Sequence, residues 1–308
     1  MKKRQLGRSG IAVAPLCFGG NVFGWTAGEE MSFALLDGFA GAGFDFIDTA
    51  DMYSAWVPGH AGGESETILG RWLTARKCRN RVVVATKVCR WDKRPGLKAA
   101  NIVAACEDSL NRLQTDYIDL YQSHGDDTET SLDETLEAYG RLIAAGKVRV
   151  IGASNYGAPR LAEAMGISGA KGLPRYETLQ PAYNLVEREF ESELQPLCVK
   201  ESIGVIPYYS LAAGFLTGKY RGEADLAGRA RGSTVSRYMK PENLALLSRL
   251  ETVANERGAT MAEVAIAWLR DRPSVVAPIA SATNLDQLRS LVRGATLHLT
   301  GQDIALLQ

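Results

Sequence analysis

Residues 82–122, VVVATKVCRWDKRPGLKAANIVAACEDSLNRLQTDYIDLYQ, hold two short apolar runs with a long amphipathic stretch between them. Val82–Lys87 is apolar through most of its length rather than alternating, the pattern of a strand covered on both faces. Lys98–Leu113 repeats its apolar positions at helical spacing, and Tyr117–Gln122 returns to a short apolar run. Strand, crossover helix and strand in that order predict a parallel pair.

The same alternation runs outward in both directions. Upstream, Leu16–Gly19 and Phe44–Asp48 read as strands, with Ser32–Ala42 and Glu64–Ala75 as helices. Downstream, Val148–Ser154, Thr178–Pro181, Val205–Tyr209 and Val275–Ile279 read as strands. Leu132–Ala145, Pro159–Met165, Phe190–Glu201, Ala262–Asp271 and Leu285–Val292 read as helices. Eight such repeats predict an α/β fold of the (β/α)8 TIM-barrel type. A doubly wound sheet fits less well, because no G-x-G-x-x-G follows the first strand. The 308 residues suit one barrel, so residues 1–308 are expected to form a single domain. Two decorations stand outside the repeat. Residues 3–13, with Arg8-Ser9-Gly10 at the centre, predict an N-terminal β-hairpin that closes the bottom of the barrel. Ser210–Ser274 separates strands seven and eight by about twice the usual spacing; it holds Leu211–Gly218, a polar stretch at Arg221–Ser236 and an extra helix at Pro241–Arg257. A connection of that length on the C-terminal face is expected to be functional.

Composition narrows the class of function. With 46% hydrophobic residues the chain can fill a large core. Lysine plus arginine and aspartate plus glutamate both number 35, which speaks against a nucleic-acid or polybasic membrane binder. Cys17, Cys78, Cys89, Cys106 and Cys198 are odd in number and form no C-x-x-C pair, so neither a disulfide framework nor a zinc site is expected. Met1-Lys2-Lys3-Arg4 is followed by Gln5-Leu6-Gly7-Arg8-Ser9-Gly10, which interrupts any apolar leader core. No stretch has the length and apolarity of a membrane span. The expectation is a cytoplasmic protein with neither nucleic-acid nor membrane partners.

Chemistry in a barrel of this kind collects at the C-terminal ends of the strands. The second strand ends in Asp48-Thr49-Ala50, with Tyr53 five residues beyond Asp48. The third ends in Lys87, and the fourth in Gln122-Ser123-His124. A carboxylate, a phenol, an ammonium and an imidazole therefore converge on one mouth. Singly, Asp48 reads as a helix cap, Tyr53 as a loop aromatic and His124 as a structural hydrogen-bonder. Lys87 is harder to dismiss, since a lysine ending an apolar strand is seldom buried without a partner. Trp25, Trp56 and Trp91 follow the first three strands and are expected to wall the substrate pocket. Glu64 and Glu66 read as helix first-turn acids.

The segments Ile47-Asp48-Thr49-Ala50-Asp51-Met52-Tyr53, Ala85-Thr86-Lys87 and Asp119-Leu120-Tyr121-Gln122-Ser123-His124 resemble signatures of the aldo-keto reductase superfamily. The resemblance continues through Gly152–Asn155, Leu179–Asn184 and Gly214–Tyr220, in the family's order and over nearly the whole chain. It implies reversible hydride transfer between a nicotinamide cofactor and the carbonyl of an aldehyde, ketone or sugar. Tyr53 would then be the general acid, Lys87 would lower the phenol's pKa, Asp48 would hold Lys87, and His124 would orient the carbonyl. By the same resemblance Ser154, Asn155 and Gln180 hold the carboxamide, and Tyr208 stacks on the nicotinamide. Leu211, Gly214, Thr217 and Lys219 wrap the pyrophosphate. Ser281, Thr283 and Gln287 face the adenosine. NADPH, the family norm, is expected rather than NADH. The adenosine end departs from the pattern: Ser281 stands where many relatives have glycine, Thr283 lies where basic residues are common, and Leu291 replaces an adenine-holding asparagine. A small-molecule carbonyl substrate is the implied partner; the oligomeric state is not readable. Two other readings stay open, a Schiff-base aldolase using Lys87 and a cofactor-binding regulatory subunit.

Overall fold

The computed structural model of the protein describes residues 1–228 and 231–308; of the polar stretch Arg221–Ser236, residues 229 and 230 lie outside the described residues. Eight parallel strands follow one another around a ring in chain order: β1 (Cys17–Gly19), β2 (Phe46–Asp48), β3 (Val83–Val88), β4 (Ile118–Ser123), β5 (Val148–Ser154), β6 (Tyr176–Gln180), β7 (Gly204–Val205) and β8 (Ile279–Ala280). The last strand pairs back on the first, Ile279 opposite Cys17 and Ala280 opposite Phe18. Closure between β7 and β8 runs through a bridge from Val205 to Val275, with Val276 N donating to Val205 O at 2.7 Å.

The two closing strands are shorter than the apolar runs predict. Pro207 and Pro278 have no N–H for a ladder, so regular pairing stops early. Contact continues singly instead, from Ile206 N to Leu179 O at 3.0 Å and from Tyr208 N to Pro181 O at 2.9 Å. Two helices also depart from expectation. The helix expected to end at Met165 runs over Ala158–Lys171, because Gly166 and Gly169 sit on a face where an added Cβ would meet nothing. Each glycine then costs only about 1 kcal/mol of propensity, which the buried Leu161, Ala164 and Ser168 outweigh. The segment from Phe190 breaks into a single turn at Glu189–Glu191 and a helix at Leu194–Glu201, since Pro196 cannot donate within one continuous helix.

The hairpin lies where the sequence puts it, with Arg4–Gln5 antiparallel to Ala12–Val13. Its Leu6, Ile11 and Val13 are buried against Cys17, Phe46, Val83, Ala85, Leu120, Ile206 and Val276, the side chains that fill the barrel interior. A larger apolar layer separates the strands from the surrounding helices. The bottom of the barrel is thereby plugged with apolar side chains, and ligands are left the opposite end. There the turn Ala212–Thr217 of the long connection borders the mouth, while its later helix, Pro241–Glu256, packs on the outer helices Met261–Arg270 and Gly301–Leu306.

Candidate active site

β2, β3 and β4 lie side by side, and their register sets Asp48 opposite Ala85 and Lys87 opposite Gln122. That register carries Asp48 and Lys87, both buried, to the same level of the barrel. Lys87 Nζ donates to Asp48 Oδ2 at 2.6 Å, to Thr49 O at 2.7 Å and to Tyr53 Oη at 3.0 Å. An ammonium has three protons, and all three are used. The other oxygen of Asp48 accepts from Gln122 Nε2 at 3.1 Å and from Gln180 Nε2 at 2.9 Å. Hence Gln180, expected at the carboxamide, spends its amide nitrogen on Asp48, although it still borders the cavity.

Burial works against the charge on Lys87, yet Asp48 and Tyr53 outweigh it and raise the ammonium's pKa above the ordinary lysine value. Lys87 lowers the pKa of the Tyr53 phenol as expected, but burial outweighs it. Low-dielectric surroundings push it up to about 12, and the opposing pull of Lys87 offsets only part of that rise. His124 is 9% exposed, and its ring centroid lies 6.0 Å from that of Tyr53. Burial, helped by Lys87 and Arg90, holds the imidazole well below its usual pKa, so it is neutral at physiological pH. Its Nδ1 is buried without a hydrogen-bond partner among the described residues.

Asp48, Tyr53 and His124 open into a cavity of about 1250 Å³ that continues past β5 to β8. Ser154, Asn155 and Tyr208 share its wall, and their polar atoms are knitted together. Tyr208 Oη donates to Asn155 Oδ1 at 2.8 Å, and Asn155 Nδ2 donates to His124 O at 2.9 Å and to Ser154 Oγ at 3.0 Å. Asn155 is held at φ +58°, a left-handed conformation that asparagine tolerates better than most residues. Leu211, Gly214, Thr217 and Lys219 border the next part of the cavity. Gly214 adopts φ +100°, open only to glycine without strain, and Thr217 Oγ1 donates to its carbonyl at 2.7 Å. At the far end lie Ser281, Thr283 and Gln287. Ser281 Oγ is 2.7 Å from Gly19 O and from Asn21 Oδ1. Gln287 Oε1 accepts from Thr283 N at 2.9 Å. Arg289 is not among the lining residues; it is exposed and paired with Asp286. Leu291 is buried and borders the cavity where an adenine-holding amide is absent.

The three tryptophans divide. Trp56 borders the cavity, its ring 6.0 Å from that of Tyr53. Trp25 braces Trp56 edge-on at 5.6 Å from behind the wall. Trp91 does not reach the cavity. It packs over Gly62, where a Cβ would fall 2.7 Å from its Nε1, and lies beneath the Arg112 guanidinium at 5.3 Å. The hairpin Arg90–Trp91 and Arg94–Pro95 alternates its two faces, so it turns Arg90 to the mouth and Trp91 outward. Glu66 likewise departs from its expected role. It is buried, accepts from Thr86 Oγ1 and pairs with Arg112 at 2.6 Å. Sequence reasoning passed over Arg90, Asn21, Tyr209 and Arg231, all on the cavity wall, and Gln122 beneath it. For Arg90 a signal existed, since it stands three residues beyond Lys87 at a strand end. For Arg231 none did.

A model of the aldo/keto reductase family matches residues 15–308. Among similar proteins, the uncharacterized oxidoreductase YrpG of Bacillus subtilis (strain 168) is 32% identical over 317 residues, covering 100% of this chain and 95% of its own. Protein tas of Escherichia coli (strain K12) is 32% identical over 333 residues, covering 99% and 96%. Norsolorinic acid reductase B of Aspergillus parasiticus is 31% identical over 320 residues, covering 98% and 82%. A family match over nearly the whole chain and relatives at this identity and coverage agree with the barrel, and the chain belongs to the aldo/keto reductase family of carbonyl oxidoreductases.

Proposed function

We propose that this chain, working as one barrel domain, reduces the carbonyl of an aldehyde, ketone or sugar reversibly, with Tyr53 as the proton donor. The observation that carries the reading is Lys87 Nζ, 3.0 Å from the Tyr53 hydroxyl and itself anchored on Asp48. When bound, a reduced nicotinamide supplies the hydride. The residues fit such a dinucleotide: a long cavity, a glycine turn at Gly214, a Lys219 ammonium with no ion pair among the described residues, and small hydroxyl and amide side chains at the far end. Negative charge that develops on the carbonyl oxygen is met by the Tyr53 proton, with the fixed Lys87 cation behind it. In the resting state the phenol is protonated and His124 is neutral, so the imidazole orients the carbonyl by hydrogen bonding without competing as an acid. In this reading Tyr208 would hold the nicotinamide ring and Ser154 and Asn155 its carboxamide, since all three line the cavity beside Tyr53 and His124.

Lys87 offers little to the aldolase reading. Its three protons are engaged and its pKa is raised, whereas a Schiff-base nucleophile needs a free lone pair. We propose NADPH as the preferred cofactor over NADH, with a modest margin, because no cation lines the adenosine end among the described residues. Tyr53→Phe tests the catalytic assignment. Turnover of any carbonyl substrate should fall by about 10²–10⁴-fold, while quenching of tryptophan fluorescence by NADPH persists. Wild-type turnover in the variant would remove Tyr53 from the chemistry.

A further inference from the structure

Beyond β3 the chain does something unusual for a strand end. Cys89 is held at φ +123°, a conformation that strains a residue with a side chain, and Arg90 follows at the start of a short antiparallel hairpin. Backbone pairing from Gly96 N to Cys89 O at 2.9 Å fixes the bend. It sets Arg90 in the wall of the same cavity as Tyr53, His124 and Trp56. Space for the guanidinium comes from Gly125, where a Cβ would stand 2.9 Å from Arg90 Nε.

The Arg90 guanidinium makes no salt bridge and no hydrogen bond among the described residues. The acids of the next loop are committed elsewhere. Asp126 accepts from Arg160 Nε at 3.0 Å. Asp127 accepts from Leu97 N and from Thr130 Oγ1, both at 2.7 Å. The charge of Arg90 nonetheless registers on the site: it adds to burial and Lys87 in lowering the pKa of His124, and it offsets part of the rise that burial imposes on the Tyr208 phenol. Nor does Arg90 serve the cofactor's phosphates. In the proposed reading those fall to the segment between β7 and β8, which lines the cavity with Lys219 and Arg231, and β3 stands across the ring from β7.

We propose that Arg90 binds an oxyanion, a carboxylate or a phosphate monoester, carried by the carbonyl substrate, so that this enzyme acts on anionic aldehydes or ketones. The inference rests on the reductase reading and narrows its substrate class. A planar guanidinium with no internal partner matches either oxyanion with two parallel N–H donors. With that group held on the β3 side, the carbonyl carbon is directed toward Tyr53 and His124. The anion takes no part in the electron balance, since hydride comes from the reduced nicotinamide and the proton from Tyr53.

The test measures kcat/KM with NADPH for two matched pairs, 4-oxobutanoate against butanal and glyceraldehyde 3-phosphate against glyceraldehyde. The wild-type enzyme should prefer the anionic member of one pair by about 10- to 100-fold, and the preferred pair identifies carboxylate or phosphate. Arg90→Gln should bring that ratio close to one, and Arg90→Lys should restore part of it. Arg90 is exposed, so neither substitution opens a cavity in the core. Reading the ratio within each variant cancels any general effect on His124. A wild-type ratio near one in both pairs, with neutral aldehydes turned over, overturns the inference and leaves the reductase reading standing. A preference that survives Arg90→Gln also overturns it. Turnover of none of the probes would overturn the reductase reading, and this inference with it.

Discussion

At the residue scale, the buried acids behave differently from one another. Asp48 faces an ammonium and two amides, and both its carboxyl oxygens accept hydrogen bonds. Asp51, three residues on, is buried with no side-chain partner for its carboxyl among the described residues, and Glu66 stands near it. Burial first, then Glu66, pushes its pKa from 3.8 to about 8. The folded chain therefore keeps a proton that the unfolded chain releases between these values, and stability falls as pH rises through that window. Asp51→Asn should abolish this slope. Urea unfolding at pH 8.5 should show the variant more stable by about 1–3 kcal/mol, with little difference at pH 4. Equal differences at both pH values would show that Asp51 does not titrate with folding. The types and places of Asp48, Tyr53, Lys87 and His124 were legible in the sequence, because strand ends of a barrel point to one mouth. That Gln122 and Gln180 would both converge on Asp48 was not, since it depends on the register of β4 and β6 against β2. The lowering pull of Lys87 on the Tyr53 phenol was legible in the sequence, but the larger rise from burial was not, because a charge partner can be inferred from spacing while desolvation cannot.

At the scale of elements, the connections decide more than the strands. Helix boundaries followed caps that can be read directly, such as Thr260 with Glu263 at the head of Met261–Arg270 and Asn284 ahead of Leu285–Gly294. The side of a short hairpin on which a residue falls cannot be read that way, so Trp91 was assigned to the mouth and Arg90 was passed over. The adenosine end shows the same dependence. Asn284 turns Thr283 and Gln287 toward the cavity, and Arg289, one turn along, pairs with Asp286 in solvent. A 2′-phosphate there would meet hydroxyl and amide groups alone. Thr283→Arg should raise the ratio of NADH to NADPH dissociation constants by about 10- to 100-fold, the worth of one charge-assisted contact. Arg289→Ala should leave that ratio within about twofold, as an exposed paired side chain contributes little. Fluorescence titration with both nucleotides checks each. A large loss of NADPH affinity on removing Arg289 would mean that its pair with Asp286 opens when the cofactor binds.

For the whole molecule, the barrel separates the part that holds it together from the part that reacts. Ion pairs are spread over the outside, and those with both partners exposed add little each, so the barrel depends on its two apolar layers. The inner layer is the smaller, and the N-terminal hairpin completes it. Leu6 is fully buried there. Its neighbour Gly7, at φ +59°, leaves no room for a Cβ, which would stand 2.3 Å from Glu177 O. Arg8 N donates to Glu177 Oε2 at 2.6 Å, tying the turn to β6. The hairpin is thus fastened by backbone and packing to the end of the ring opposite the cavity. Leu6→Ala should cost about 2–5 kcal/mol of unfolding free energy through the void it leaves. Because Leu6 lies at the far end from Tyr53 and Lys87, kcat and NADPH affinity of the folded fraction should stay near wild type. Denaturant unfolding read by tryptophan fluorescence, together with turnover well below the transition, distinguishes the two effects. Loss of turnover without loss of stability would mean that the hairpin reaches the mouth through the register of the strands, and that stability and chemistry in this barrel are not separable by layer.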